Sequence, residues 1–344
     1  MDAGNLDPRE ALSAWSIAPT ALTPIAAGHI NRTWRVEHGD LWYALQWLNP
    51  IFKPELHFDI EAITARLEAA GLTTPRLVRT AAGELWTTAE GGVWRLLTWI
   101  EGESVLVVDG PDRAHQAGRL LGQFHAALLD WEHPFHFERP HVHDTPRHLR
   151  HLEQALADQP AHRNRSLVEP LATEILALAR RATIAGELPR RVVHGDPKIS
   201  NFVFAPDGRA VALIDLDTLA RMPIAVELGD AFRSWCNPQG EEVAAAFELA
   251  LFEAGWRGYR DAIGDRVDRD ELATVPRQIR LIALELAARF CADALEESYF
   301  NWNRDRFASA SEHNLARTRS QLALARSVGE QLARLESVAG LDRP

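Results

Sequence analysis

Cysteine is nearly absent. Cys236 and Cys291 are the only two in 344 residues, and neither sits in a Cys-x-x-Cys pair. This excludes a disulfide framework and a cysteine zinc site, and a reducing, cytoplasmic setting is expected. Long apolar runs are missing too. No stretch nears the ~18 residues that a membrane helix requires, and residues 1–10 hold no apolar signal core, so no membrane partner is expected. Surplus positive charge is also lacking. The 37 Lys+Arg face 48 Asp+Glu for a net −11, which argues against nucleic acid as a partner. Lysine is scarcest of all: only Lys53 and Lys198 occur, and the other basic residues are arginines. A lysine here is a compact point charge among planar forks, and each one draws attention. Neither Gly-x-x-x-x-Gly-Lys-Ser/Thr nor Gly-x-Gly-x-x-Gly is found, so a Walker loop and a protein-kinase glycine loop are both excluded.

What is present is a chain with 46% hydrophobic residues, enough for about two domains. A first helix is predicted at Pro8–Trp15. Strands follow at Thr33–Glu37 and Leu41–Trp47, joined at Gly39-Asp40. The spacing of Ile60, Ile63, Leu67 and Ala70 predicts a helix over 55–70, closed by Gly71. Further strands are predicted at Arg76–Arg79, Glu84–Thr88 and Val93–Trp99. After Glu101-Gly102-Glu103 helical periodicity takes over, at Pro111–Leu129, His148–Asp158, Leu167–Ile184 and from Glu241 onward, with Glu312–Leu335 as the last helix. The expected organisation is therefore α+β: a small antiparallel sheet over 1–100, a hinge near 98–102, and a mainly helical part over 103–344.

One strand-rich island, Arg191–Ile214, interrupts the helices. It reads Val192-Val193-His194-Gly195-Asp196-Pro197-Lys198-Ile199-Ser200-Asn201, then Phe202–Phe204, a turn at Pro206-Asp207-Gly208, Ala210–Ile214 and Asp215-Leu216-Asp217. A hairpin of 202–204 with 210–214 places Asn201 and Asp215 at one open end, with Asp196 on the loop that enters it. A carboxylate and an amide carbonyl are hard oxygen ligands suited to Mg²⁺. Asp196 is then free to accept a proton from a substrate hydroxyl. His-x-Asp-x-x-x-x-Asn followed by a metal-binding Asp is the pattern of a kinase catalytic loop. The bland reading, a polar loop with Asp196 capping a turn, does not account for the whole set of offsets.

The sequence resembles the aminoglycoside phosphotransferase and choline kinase superfamily, and within it the N-acetylhexosamine 1-kinases. The likeness is carried by the island, by Gly28-His29-Ile30-Asn31-Arg32-Thr33-Trp34, by Tyr43–Phe52 and by His143-Asp144-Thr145-Pro146. It continues through Leu228-Gly229-Asp230, Arg289-Phe290, Tyr299-Phe300 and His313–Gln321. The resemblance implies a bilobal protein-kinase-like fold with ATP as co-substrate in the cleft and Mg²⁺ as cofactor. It makes Asp196 the catalytic base, with Lys198 beside the transferred phosphate and Mg²⁺ on Asn201 and Asp215. Gly28, Asn31, Thr33, Gln46 and the hinge residues Thr98, Trp99 and Ile100 fall on the nucleotide side. Gln46 stands where the wider superfamily has a phosphate lysine, Trp47 stands where relatives often have Arg, and Glu61 loses its usual lysine partner. His29, Arg289 and Tyr299, with Asp196, are nominated for the acceptor.

Around this site, Asp217 either assists the metal or satisfies backbone donors, and Asp230 is expected to bond the catalytic loop through His194. His141-Val142-His143-Asp144 has metal-ligand residue types but no third and fourth ligand. The expected activity is phosphoryl transfer from ATP to a small-molecule hydroxyl, the anomeric hydroxyl of an N-acetylhexosamine-like sugar. An aminoglycoside or amino-alcohol kinase, drawing on Glu101, Glu103, Glu296 and Glu297, is the rival. A nucleotide-binding pseudokinase is the reading of another class. Oligomeric state is not legible.

Overall fold

The computed structural model describes residues 6–25, 31–182, 184, 186–244 and 246–340. Its N-terminal part holds α1 (Pro8–Leu12), β1 (Ala21–Ile25), β2 (Arg32–His38), β3 (Leu41–Leu48), α2 (Leu56–Ala69), β4 (Thr87–Ala89) and β5 (Gly92–Thr98). The strands form one antiparallel sheet in the order β1-β2-β3-β5-β4. Side chains alternate across it. Trp34, Val36, Leu45, Trp94 and Leu96 face outward and pack under Leu12 and Trp15. Leu48 and Leu97 face inward with α2 into the larger core.

The sheet differs from the sequence reading at its edges. Ala21–Ile25 is an edge strand that went unpredicted, because Pro24 interrupts its pattern, and an edge is where a strand tolerates proline. Residues 76–79 do not form a full strand. Leu77 makes a single bridge to Leu97, because β4 already covers the other half of the same edge of β5. Trp47 lies on the outer face, against Gly92. It therefore does not occupy the cleft position that an arginine would hold beside phosphate.

The chain crosses into its second part at Gly102, whose φ of +141° and close approach to the Phe204 carbonyl exclude a side chain. Next to it, Glu103 exchanges both backbone hydrogen bonds with Phe204, at 2.9 and 2.8 Å. The second part runs through α3 (Pro111–Leu128), α4 (Thr145–Asp158), α5 (Arg165–Ala182), β6 (Arg191–Val193), β7 (Phe202–Phe204), β8 (Ala210–Leu213) and β9 (Ala220–Met222). It continues with α6 (Ile224–Trp235), α7 (Leu249–Ile263), α8 (Arg269–Leu272), α9 (Val275–Glu296), α10 (Ala310–Glu330) and α11 (Leu332–Val338). The helix predicted over 312–335 is thus broken at Gln331. β6 pairs with β9 and β7 with β8, both antiparallel.

Helix α2 is fastened to this second part by Asp59. Its buried carboxylate accepts from His133 Nε2 at 2.8 Å, His136 Nδ1 at 3.0 Å, and the backbone N–H groups of His136 and Phe137 at 2.9 and 3.0 Å. Asp59, His133 and His136 have the residue types of a metal site. Four donors already fill the acceptor capacity of the carboxylate, so the cluster works as a staple between α2 and the segment after α3.

Candidate active site

Gly195 determines how the loop that carries Asp196 turns. Its φ is +83°, and a Cβ there would stand 2.0 Å from the Thr218 carbonyl oxygen, so only glycine lets the loop lie against the segment after β8. Its N–H donates to buried Glu227 at 2.6 Å, and Trp235 Nε1 donates to the Pro197 carbonyl at 2.8 Å. Both braces come from α6, whereas the sequence reading had assigned that work to Asp230. Asp230 instead pairs with Arg233 at 2.9 Å. His194 Nε2 meets the Ile214 carbonyl at 2.9 Å. Leu228-Gly229-Asp230 marks the right helix, but spacing alone did not single out Glu227 on it.

Past the loop, Phe202 pairs with Leu213 and the Ile214 N–H donates to the Asn201 carbonyl at 2.9 Å. Asn201 and Asp215 therefore sit side by side at the hairpin's open end. Asn201 Nδ2 donates to the main-chain oxygen of Asp196 at 2.8 Å and to its Oδ2 at 3.3 Å. The amide thus turns its nitrogen toward Asp196 and leaves its oxygen as a ligand. Lys198 Nζ donates to Asp196 Oδ2. Burial pulls the Lys198 ammonium down, but Asp196 and then Asp215 outweigh it, and the net shift is upward. Lys198 is therefore a fixed positive charge beside the Asp196 carboxylate.

Asp215 has a left-handed backbone, φ +62°. Burial first, then the neighbouring Asp217 and Asp196 carboxylates, push its pKa up to about 6. Strain in a non-glycine residue and a carboxylate destabilised by like charges are what a cation held there would offset. The hard oxygens of Asp215 and Asn201 fit a divalent ion such as Mg²⁺.

On the sheet side, Asn31, Thr33 and Gln46 join one network. Gln46 Nε2 donates to Thr33 Oγ1 at 3.0 Å and accepts from Arg95 Nε at 2.8 Å on Oε1. Arg95 Nη1 then donates to Asp217 Oδ1, and Asn31 Nδ2 donates to Asp217 Oδ2, both at 2.5 Å. Asp217 therefore takes side-chain donors from the opposite lobe, not backbone donors. Arg95 escaped sequence reading, since its partner is 122 residues away. Glu61 turns away to Arg79 at 3.0 Å and Arg76 at 3.7 Å. At the hinge, Thr98 exchanges bonds with Arg76, and the Trp99 N–H donates to the Trp42 carbonyl at 3.2 Å. Ile100, just beyond the end of β5, is half-buried.

Gly28, expected on the nucleotide side, and His29, expected at the acceptor, lie outside the described residues. Arg289 is half-buried, with its guanidinium carbon 5.8 Å from the Tyr299 ring centre and 5.5 Å from that of Phe300. Tyr299 is exposed and accepts from Arg139. The turn that presents Tyr299 is shaped by buried Asp293, which collects the N–H groups of Ser298, Tyr299 and Phe300 at 2.8–2.9 Å. Below it, His143 pairs with buried Glu285 at 3.1 Å, and His141 with Asp144 at 3.2 Å.

Burial pulls His143 down, but Glu285 outweighs it and the histidine titrates above its ordinary value. Burial likewise pushes Glu285 up, but His143 outweighs it and the acid titrates below its own. A raised His contributes stability below about pH 6.5 and loses it as pH rises through the folded value. A lowered Glu contributes above about pH 4.3 and loses it as pH falls through the folded value. The resistance of the wild type to urea should accordingly fall on both sides of that window. In His143→Gln the alkaline decline should shrink, and an unchanged decline would refute the assignment.

These observations meet an independent one. The profile described as "Phosphotransferase enzyme family" matches residues 21–262. Among solved structures, an amicoumacin kinase in complex with AMP-PNP and Ca²⁺ superposes with a TM-score of 0.65 at 16% identity, covering 92% of this chain and 91% of that one. A microcompartment-associated aminopropanol kinase gives 0.65 at 18%, covering 95% and 97%. An aminoglycoside phosphotransferase from Alicyclobacillus acidocaldarius gives 0.62 at 18%, covering 97% and 98%. The bilobal kinase-like fold is common to all three. Because the profile spans both the sheet with its Arg95 network and the hairpin that gathers Asp196, Asn201 and Asp215, this chain belongs to the phosphotransferase enzyme family.

Proposed function

We propose that the chain transfers the γ-phosphoryl group of ATP to a hydroxyl of a small molecule, and that the acceptor is the anomeric hydroxyl of an N-acetylhexosamine-like sugar. The observation that carries the phosphotransferase reading is the shared volume of Asp196, Asn201 and Asp215. Asp196 accepts the hydrogen bond of the attacking hydroxyl, orients it and takes its proton. Lys198 holds Asp196 in place and offers its charge to the phosphoryl oxygens. Asn201 and Asp215 would hold Mg²⁺, which when bound neutralises charge between the phosphates. With the Trp99 N–H engaged, backbone groups of Ile100 and Glu101 are left for adenine. Catalysis is then chiefly positioning and electrostatics, with no covalent enzyme intermediate.

The sugar reading is supported by the quoted motif segments and by the state of three of the four glutamates on which an amine would draw. Glu103 faces Arg113 at 3.6 Å, Glu296 faces His151 at 3.0 Å, and Glu297 faces Arg163 at 2.6 Å. Arg289 and Arg139 flank Tyr299, a poor setting for a second cation. The amine-bearing alcohol is the second reading, and the compared structures favour it, since their names give aminopropanol and aminoglycoside kinases. A panel of sugars and amines screened for acceptor-dependent ADP release, followed by phosphorus NMR of the product, separates the two. An acid-labile anomeric phosphate supports the sugar. A stable phosphate monoester on the hydroxyl of an amine-bearing alcohol overturns it.

A further inference from the structure

A site without the third-strand lysine still needs something to hold its two lobes in catalytic register. In protein kinases a lysine on that strand pairs with a helix glutamate, and the pair must be in place for activity. Here the strand offers Gln46, and on α2 Glu61 is committed to Arg79 and Arg76. His57, also on α2, is driven to about 4, by burial first and then by Arg95, so it is neutral. Arg95 stands directly opposite Gln46 in the β3–β5 register. It is 1% exposed, and the Asp217 carboxylate it meets is as deeply buried. A guanidinium so enclosed and already neutralised is not offered to a phosphate.

Its reach is nevertheless long. Asp217 follows Asp215 by two residues, in the short turn Leu216–Thr218. Thr218 Oγ1 donates to the His194 carbonyl at 3.0 Å, and the Thr218 carbonyl lies against Gly195. One continuous path therefore runs from Thr33 and Gln46 through Arg95 to Asp217, and from there to both the Asp215 turn and the Asp196 loop. Asn31 adds a second arm on the same carboxylate. We propose that Arg95 is a positioning residue which, with Asn31, latches the sheet to Asp217 and so sets Asp215 and Asp196 for the metal-nucleotide. The proposal rests on the phosphotransferase reading and goes beyond it.

The test uses Mn²⁺ as the probe, titrated by electron paramagnetic resonance into full-length protein loaded with ADP, and calorimetry of ADP alone in EDTA. Residues that orient metal ligands change metal affinity by about 10–100-fold, and Arg95→Met should weaken Mn²⁺ by at least the lower figure. Metal-free ADP binding should stay within about twofold, and Arg95→Lys should recover part of the loss. Asp217→Asn should match Arg95→Met, and the two together should cost no more than either alone.

Unchanged Mn²⁺ affinity, or additive losses, would overturn the latch. An equal loss of metal-free ADP would overturn it differently, by placing the guanidinium on phosphate. If the buried variants do not fold, Asn31→Ala decides, since it keeps the ion pair: weaker Mn²⁺ binding measured at saturating ADP supports the latch, and no change refutes it. Wild-type protein that binds neither ADP nor Mn²⁺ would remove the phosphotransferase reading itself. Normal wild-type binding with indifferent variants would remove the latch alone.

Discussion

Asp196→Asn should lower kcat by about 10²–10⁴-fold, the usual worth of a positioned general base, while leaving the fold and ADP affinity as they are. The substitution is clean because the structure separates two functions of this residue. The main-chain oxygen of Asp196 takes the shorter bond from Asn201 Nδ2, 2.8 Å against 3.3 Å for the carboxylate, so Asn201 keeps its main anchor when the carboxylate is changed. The lost features are the proton acceptor and the anionic partner of Lys198. Steady-state kinetics with the acceptor found by screening, together with circular dichroism and ADP calorimetry, check each part. Turnover within tenfold of wild type would mean that Asp196 is not the base. Absence of ATP-dependent turnover with every acceptor, in wild type, would favour the pseudokinase.

The second large effect concerns Gly195. Gly195→Ala combines left-handed strain with a contact 2.0 Å from a backbone oxygen that cannot swing aside. Strain and overpacking are each worth about 1–3 kcal/mol, so the loss should reach about 3 kcal/mol or more. Activity should vanish even where the protein remains folded, because the displaced partner, Thr218, adjoins the Asp215 turn. Gly208→Ala is the matched control. Its φ is +84°, yet nothing lies within 4 Å of the added carbon, so only the conformational cost of about 1–2 kcal/mol applies. Urea denaturation compares the two, and equal losses would show that the contact with Thr218 is not what requires glycine.

The contrast between Gly195 and Asp230 shows what a sequence can disclose. His194, Asp196, Asn201 and Asp215 are close along the chain and tied by one hairpin, so their meeting follows from strand pairing and could be read before any coordinates. The alternation of β2, β3 and β5 was legible for the same reason, as was the helix closed by Gly71. Partners that meet only through tertiary folding were not. Asp230 was assigned to the catalytic loop because it lies in a recognisable tripeptide, but Glu227, one helical turn earlier, takes the Gly195 N–H. Asp293 looked like any helical acid until the chain folded back onto it. Arg95 reads as a stray charge in an apolar strand, and only its partner across the lobes gives it a reason. The pairing of Arg289 with Tyr299 is an intermediate case: ten residues apart, they meet because α9 ends between them.

The Asp59 staple bears on how the cleft can open. Four donors from the segment after α3 and a share in the larger core make α2 a passenger of the bigger body, although the sequence threads it through the smaller one. Rocking of the strands away from the hairpin would leave this helix behind, and the swing would be taken up in the short stretch between Leu48 and Leu56. Admission of nucleotide then becomes a matter of lifting a sheet, with the helix as part of the floor.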